Sequence, residues 1–505
     1  MNPVNDAARA QALNGSATRM PARPTFKQRS FGNARLPSTS RCACPAPPPP
    51  SRRPSARTPQ TRCAPGAGRR RRARRPTSGI APSLSLKFRA DRHRQGFDMN
   101  KQLTDRITFR HGATSNNRIV QAPMLTNSGE GDGFVTQDTI DYYAARSRSA
   151  GIVIVEYCYV SFAGGPSRSW ADDRQQLGIY TDGHMEGLAK IARALKKDGN
   201  KALVQLAHAG RESNFRARQG HTVYAPSAFD FGFLDYEVEA LADEDIERII
   251  QDFGTATRRA IDCGFDGVEI HGANHYLLQQ FFSAWSNRRD DRWGGSADRR
   301  MRFIVEVMRK VFDVIAEHAP DDFIIGYRIS PEEVHGDHVG YSCDDSLKLI
   351  QTLTATFDFD YIHVSLPQYD ARPKGSDRSF GELFGAVLPE QTKLIVVGNV
   401  MSEESARDAL GHADLVAVGR ATLIDPEFGS KLSEGRGQDI VREISPEQVK
   451  KSRLPPGLVN LFSDPNMHPS LPGRESIYHL HEGGSLDKSV LKDGTGSEYN
   501  LDDLK

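Results

Sequence analysis

At 505 residues, with 38% hydrophobic and 26% charged side chains, the chain can hold one large domain or two or three ordinary ones. No apolar run approaches the roughly 20 residues that a membrane-spanning helix needs, so no membrane partner is expected. The net charge of +2 hides an asymmetry. Residues 1–98 carry 21 of the 66 basic and three of the 64 acidic side chains, leaving 45 basic and 61 acidic ones, a net of −16, on residues 99–505.

Residues 1–98 read as a disordered Arg/Pro-rich extension. They contain Pro47–Pro50 and the basic block Arg69–Arg75 but no apolar periodicity. Such a composition buries too little surface to offset chain entropy. A nucleic-acid arm, a nuclear signal or a targeting peptide are the functional readings of this tract. The acidic body is not expected to bind nucleic acid. Met99 opens a sensible start, and whether residues 1–98 belong to the native protein stays open. Cys42, Cys44 and Cys63 in this tail lack the paired spacing of a zinc site. Cys158, Cys263 and Cys343 are scattered through the body, which fits buried thiols in a reducing cytoplasm and no metal site.

From Asn117 onward short apolar runs alternate with amphipathic stretches. Strands are predicted at Ile119–Met124, Ile152–Cys158, Ala202–Leu206, Gly267–Ile270, Phe323–Ile329, Tyr361–Val364, Leu394–Val397 and Leu415–Val418. Helices are predicted at Thr139–Ser149, Met185–Lys197, Ala242–Cys263, Met301–His318, Ser342–Thr354 and Ser402–Leu410. In the third of these, Ile246, Ile249, Ile250, Phe253 and Ala260 recur at helical spacing. Eight short buried strands separated mostly by helices predict an α/β protein with a (β/α)8 TIM barrel over residues 99–482, C-terminal closing segment included. A doubly wound open sheet is the alternative, weakened because no Gly-x-Gly-x-x-Gly follows the first strand. Residues 483–505 read as a mobile polar tail.

In a barrel the loops after the strands carry the site. Polar residues recur at these ends: Pro123-Met124-Leu125-Thr126, Gln205 to Arg211, His271-Gly272-Ala273-Asn274-His275-Tyr276, Tyr327-Arg328, Gly398-Asn399 and Gly419-Arg420. The two glycines allow close backbone approach, and Arg420 can clamp a phosphate, with a following helix N-terminus completing an anion site.

The stretch Gly264–Phe303, with NRIVQAPM at Asn117–Met124, QLAHAGR at Gln205–Arg211, GYRISPEE at Gly326–Glu333 and DLVAVGRATLIDP at Asp414–Pro426, resembles the old yellow enzyme family of FMN oxidoreductases. The resemblance implies a flavoprotein that takes hydride from NADH or NADPH and passes it to an electrophilic small molecule, an activated alkene first of all. It assigns His271 and Asn274 to the substrate carbonyl oxygen and Tyr276 to protonation of the α-carbon. It places Gln205 on the flavin pyrimidine and Arg328 beside N1 and O2. Pro123 and Met124 pack on the ring, and Gly398, Asn399, Gly419 and Arg420 cradle the phosphate. An ion pair with Glu332 or Glu333 is the competing role for Arg328.

One position departs from the pattern. Leu125 stands where the family usually has Thr or Cys, so either Thr126 takes over the donor role or that donor is missing. An iron–sulfur branch of the family is not expected, since the body has three separated cysteines. Reduction of nitro compounds, oxidative demethylation and, outside enzymes, nucleic-acid binding through the tail remain alternatives. The choice of NADH or NADPH stays open, as does homo-oligomer formation.

Overall fold

The computed structural model describes residues 100–483 except 168, 172, 173, 468 and 469, with backbone only for 169–171. The expectations for residues 1–98 and for the tail beyond Gly483 lie outside the described residues. Eight parallel strands close a barrel: β1 (Ile119–Gln121), β2 (Ile152–Tyr159), β3 (Lys201–Ala207), β4 (Gly267–Gly272), β5 (Ile324–Ile329), β6 (Tyr361–Val364), β7 (Lys393–Val397) and β8 (Leu415–Val418). Each pairs with its neighbour in chain order, and β8 returns to β1 through Val416–Ile119, Ala417–Val120 and Val418–Gln121. This is the (β/α)8 barrel expected from the sequence, and the open-sheet alternative falls.

The strands are buried on both faces, which is why they read as continuous apolar runs. Val204, Leu206, Val268, Ile270, Ile325 and Tyr327 belong to the large outer core. Val120, Ile154, Leu203, Ile324, Tyr361, Ile395 and Leu415 fill the interior. A hairpin of Ile107–Thr108 and Thr114–Ser115 adds Ile107, Phe109 and Ala113 to that inner cluster. Gly326 is demanded here, because a Cβ would stand 2.1 Å from the Tyr361 ring. Above the apolar layer the interior turns polar: Gln205 Nε2 donates to Glu269 Oε1 at 2.6 Å, and His363 Nδ1 lies 2.9 Å from Glu269 Oε2.

The helices between strands are α1 (Gln137–Ala144), α2 (Met185–Lys196), α3 (Asp243–Asp262), α4 (Ala297–His318), α5 (Cys343–Thr356), α6 (Phe380–Val387) and α7 (Glu403–Leu410). In α3 the predicted stripe faces the core, while Asp243, Glu244 and Asp245 oppose the positive end of the helix dipole. Serine caps start α4, α5, α6 and α7, each accepting a backbone N–H three residues on.

Three boundaries differ from expectation. α1 ends at Ala144 because the buried Arg146 turns inward and donates to the carbonyls of Tyr142, Thr422 and Ser452. β1 stops at Gln121, since Pro123 offers no N–H to continue the ladder. α6 is absent from the sequence reading, as its eight residues hold two glycines and too few turns to show a period. Among the described residues no helix is long and apolar enough to cross a membrane. Cys158, Cys263 and Cys343 are buried free thiols.

Candidate active site

The C-terminal strand ends open into one cavity of about 450 Å³. Every site residue singled out in the sequence lines it except Gln205: Pro123, Met124 and Leu125 after β1; His271, Asn274 and Tyr276 at β4; Arg328 on β5; Gly398 and Asn399 after β7; Gly419 and Arg420 after β8. Gln205 lies outside the lining, fully buried, in the polar layer with Glu269.

The β4 loop reaches the cavity through two consecutive left-handed residues, Asn274 (φ 57°) and His275 (φ 61°). Their backbone amides are pinned, Asn274 N–H to Ser330 Oγ at 3.0 Å and His275 N–H to Gln279 Oε1 at 2.9 Å. Tyr276 then caps the short helix Leu277–Phe282. Its ring meets His271 edge-on at 5.0 Å. Burial, aided by the Arg328 and His363 charges, holds the His271 pKa well below its ordinary value. His271 therefore enters the cavity as a neutral imidazole with one N–H to donate.

On β5, Arg328 Nη2 donates to Ser365 Oγ at 3.0 Å. Glu333, one of the carboxylates expected to compete for Arg328, accepts hydrogen bonds from Ser283, Gln279 and His335. Burial raises the Glu269 pKa, but His363 and Arg328 outweigh it and keep this carboxylate ionised. Burial keeps His363 neutral and a donor.

Thr126 does not take over from Leu125. It is fully buried, its N–H donating to Glu156 Oε2 at 3.0 Å and its hydroxyl to Glu156 Oε1 at 2.6 Å. Leu125 thus presents an aliphatic side chain to the cavity, and the hydroxyl next in sequence points away to Glu156. Burial pushes the Glu156 carboxyl up to about 8, against the two Thr126 hydrogen bonds.

The residues fit an FMN group. Gln205 Oε1 is buried with no protein partner, an acceptor suited to an imide N–H. Gly398 has φ 141°, and a Cβ would stand 2.7 Å from the Gln368 backbone, so only glycine lets the chain turn here beside the cavity. Arg420 is oriented by Asn399 Oδ1 and the Ser470 carbonyl, each at 2.9 Å. The helix N-terminus expected to join this cradle is not provided: α7 caps its own first turn with Ser402, and the helix after β8, Arg420–Ile424, has five residues.

Other wall residues escaped the sequence reading. Leu458, Leu461 and Phe462 of the helix Pro456–Ser463, with Met467, line the cavity. The closing segment was legible, but nothing in its pattern showed which surface it covers. Arg211 was quoted without a role. It is fully buried, bonded to Glu212 and Ser286, and stacked among Phe231, Phe233 and Trp285. His275, Glu333 and His335 bring potential ligand atoms within 4.8 Å of one another. Both Glu333 oxygens already accept hydrogen bonds, so the trio reads as a bonded wall, not a coordination sphere.

A barrel whose strand ends gather an imide acceptor, a phosphate-sized cradle and a buried cation defines a flavin-dependent oxidoreductase. The profile of the NADH:flavin oxidoreductase / NADH oxidase family matches residues 104–439, and the chain belongs to this family, the old yellow enzyme group. The probable NADH-dependent flavin oxidoreductase YqiG of Bacillus subtilis is 37% identical over 365 residues, 70% of this chain and 94% of that protein. The NADH:acrylate oxidoreductase of Vibrio harveyi is 41% identical over 340 residues, 65% of this chain but only 33% of that protein's length. Morphinone reductase in complex with tetrahydroNAD superposes with TM-score 0.57 at 27% identity, covering 69% of this chain and 94% of that one. The chain is an NAD(P)H-dependent flavin oxidoreductase that uses FMN.

Proposed function

We propose that this enzyme reduces electron-poor alkenes of the enone type, with His271, Asn274 and Tyr276 acting on the substrate. Bound FMN supplies the ring that accepts hydride from NAD(P)H and returns it to the β-carbon. Gln205 and Arg328 would hold the pyrimidine end, Pro123, Met124 and Leu125 would pack on the ring, and Gly398, Asn399, Gly419 and Arg420 would hold the phosphate. The observation that carries the reading is the convergence of His271, Asn274 and Tyr276 on one cavity, with His271 held neutral.

Hydride arrival at the β-carbon drives negative charge onto the carbonyl oxygen. A neutral imidazole N–H and an amide N–H fixed near that oxygen stabilise the charged state more than the ground state. Each such donor is worth about 2–4 kcal/mol of barrier. The Arg328 charge close to His271 favours the same anion. The α-carbon then takes a proton from the Tyr276 hydroxyl, a phenol whose ordinary pKa is near 10 and which works by proximity. The names of two relatives, an NADH:acrylate and an NADH:fumarate oxidoreductase, support an activated alkene, although this chain spans only 33% and 37% of those proteins.

Anaerobic stopped-flow spectroscopy separates the half-reactions. The enzyme is expected to be bleached by NADH or NADPH and reoxidised by 2-cyclohexenone. Tyr276→Phe should slow the enone step at least tenfold more than the NAD(P)H step. Equal slowing of both steps, or reoxidation by nitro compounds alone, would overturn the assignment. A colourless protein unable to take up FMN would sink the cofactor reading as well.

A further inference from the structure

We propose that Ser167, held by Gln176, is a positioning residue for the proton-donating hydroxyl of Tyr276; this rests on the alkene-reduction reading of Tyr276. Ser167, Tyr276, His271 and Tyr157 all line the cavity, and Ser167 and Gln176 are each 1% exposed. Tyr276 Oη donates to Ser167 Oγ at 3.1 Å, and Ser167 Oγ donates in turn to Gln176 Oε1 at 2.9 Å. The Ser167 backbone N–H reaches the same Gln176 oxygen at 2.8 Å.

The direction of this chain is fixed by its far end. Gln176 Nε2 donates to the Tyr157 carbonyl, which forces Gln176 Oε1 to be the acceptor facing Ser167. The serine hydroxyl hydrogen is therefore spent on Gln176, and its lone pair is what Tyr276 meets. The phenol hydrogen is thus held on a defined bearing instead of rotating freely, and the Tyr157 ring, 5.4 Å from the Tyr276 ring, backs it.

The same arrangement serves the moment after proton transfer. The Tyr276 O–H bond breaks, a C–H bond forms at the α-carbon with the electron pair left by hydride addition, and a phenolate remains. The Ser167 hydroxyl can then swing from Gln176 to that oxygen and donate to it. Gln176 Oε1 is not orphaned by the swing, because the Ser167 backbone N–H stays on it. A solvent proton later restores the phenol. A hydrogen bond to a charged partner is worth more than one between neutral groups, so Ser167 favours the state in which the proton has left.

The test uses the reduced holoenzyme and single-turnover reoxidation by 2-cyclohexenone, with ferricyanide as an acceptor that needs no proton at carbon. Ser167→Ala is expected to slow the enone reaction about ten- to hundredfold, the worth of one hydrogen bond to a charged group. It should slow the ferricyanide reaction far less, and Ser167→Thr, which keeps the hydroxyl, should recover most of the enone rate. On a Tyr276→Phe background Ser167→Ala should add almost nothing. Equal slowing on that background, or a Ser167→Thr enzyme no faster than Ser167→Ala, overturns the proposal. A Tyr276→Phe enzyme that reduces the enone at the wild-type rate instead overturns the reading of Tyr276 on which it stands.

Discussion

Replacing Glu156 by Gln should flatten the pH dependence of stability. The carboxyl is fully buried on β2, and both its oxygens accept from Thr126, one from the N–H and one from the hydroxyl. Burial raises its pKa from 4.5 to about 8 in the folded protein. The folded state therefore keeps the proton between about pH 4.5 and pH 8, whereas the unfolded chain loses it. Stability must fall as pH rises through that window and level off above it. A difference of about 3.5 pKa units corresponds to about 5 kcal/mol at about 1.4 kcal/mol per unit, an upper figure for this one group. The Gln side chain is nearly isosteric and does not titrate; its Oε1 can accept the Thr126 N–H while its Nε2 donates to the Thr126 hydroxyl oxygen. The hydroxyl can then donate to Ser128 Oγ, already 2.6 Å away. Urea unfolding of the holoenzyme at steps between about pH 5 and pH 8.5 would compare the two proteins across this window. The gap between variant and wild type should widen with pH, the Glu156→Gln protein being the more stable by several kcal/mol at the alkaline end. Parallel curves would refute the reasoning, since Glu156 would then ionise alike in both states.

Three further outcomes follow from the cavity. Leu125→Thr introduces a hydroxyl at a wall that now offers only an aliphatic side chain, and one new hydrogen bond favouring reduced flavin should raise the two-electron potential by about 20–40 mV in a dye-equilibration titration. An unchanged potential would remove Leu125 from redox tuning. Gly398→Ala forces a Cβ to within 2.7 Å of the Gln368 backbone at φ 141°, so FMN should dissociate at least tenfold more readily, read by the fluorescence of released flavin. Retained affinity would show that the loop relaxes without loss. His271→Ala should slow reoxidation by an enone about a hundred- to thousandfold while the protein still binds FMN, and a smaller loss than from Tyr276→Phe would contradict the charge-stabilising role of His271.

The barrel was legible because its strands are buried on both faces and its long helices carry periodic apolar stripes, as Ile246, Ile249, Ile250 and Phe253 do on α3. The lining was legible because polar residues interrupt apolar runs only at one end of each strand. What failed to show was whatever depends on a partner remote in sequence. α1 stops where Arg146 finds carbonyls at Thr422 and Ser452, and no local pattern encodes those acceptors. Gln205 was recognised but sits behind the cavity lining with Glu269, a depth set by barrel registry. Leu458, Leu461 and Phe462 look like any apolar helix face until the helix Pro456–Ser463 is seen against the strand ends.

The chain by itself determined the element order, the closed barrel and the set of strand-end residues, because hydrophobic period and residue type are local properties. Tertiary structure alone decided three matters at the site. It committed the Thr126 hydroxyl to Glu156, it made His271 neutral by burying it beside Arg328, and it aimed Tyr276 at Ser167. Each is a matter of protonation or hydrogen-bond direction, and these are fixed by the dielectric and the partners that folding brings from far along the chain.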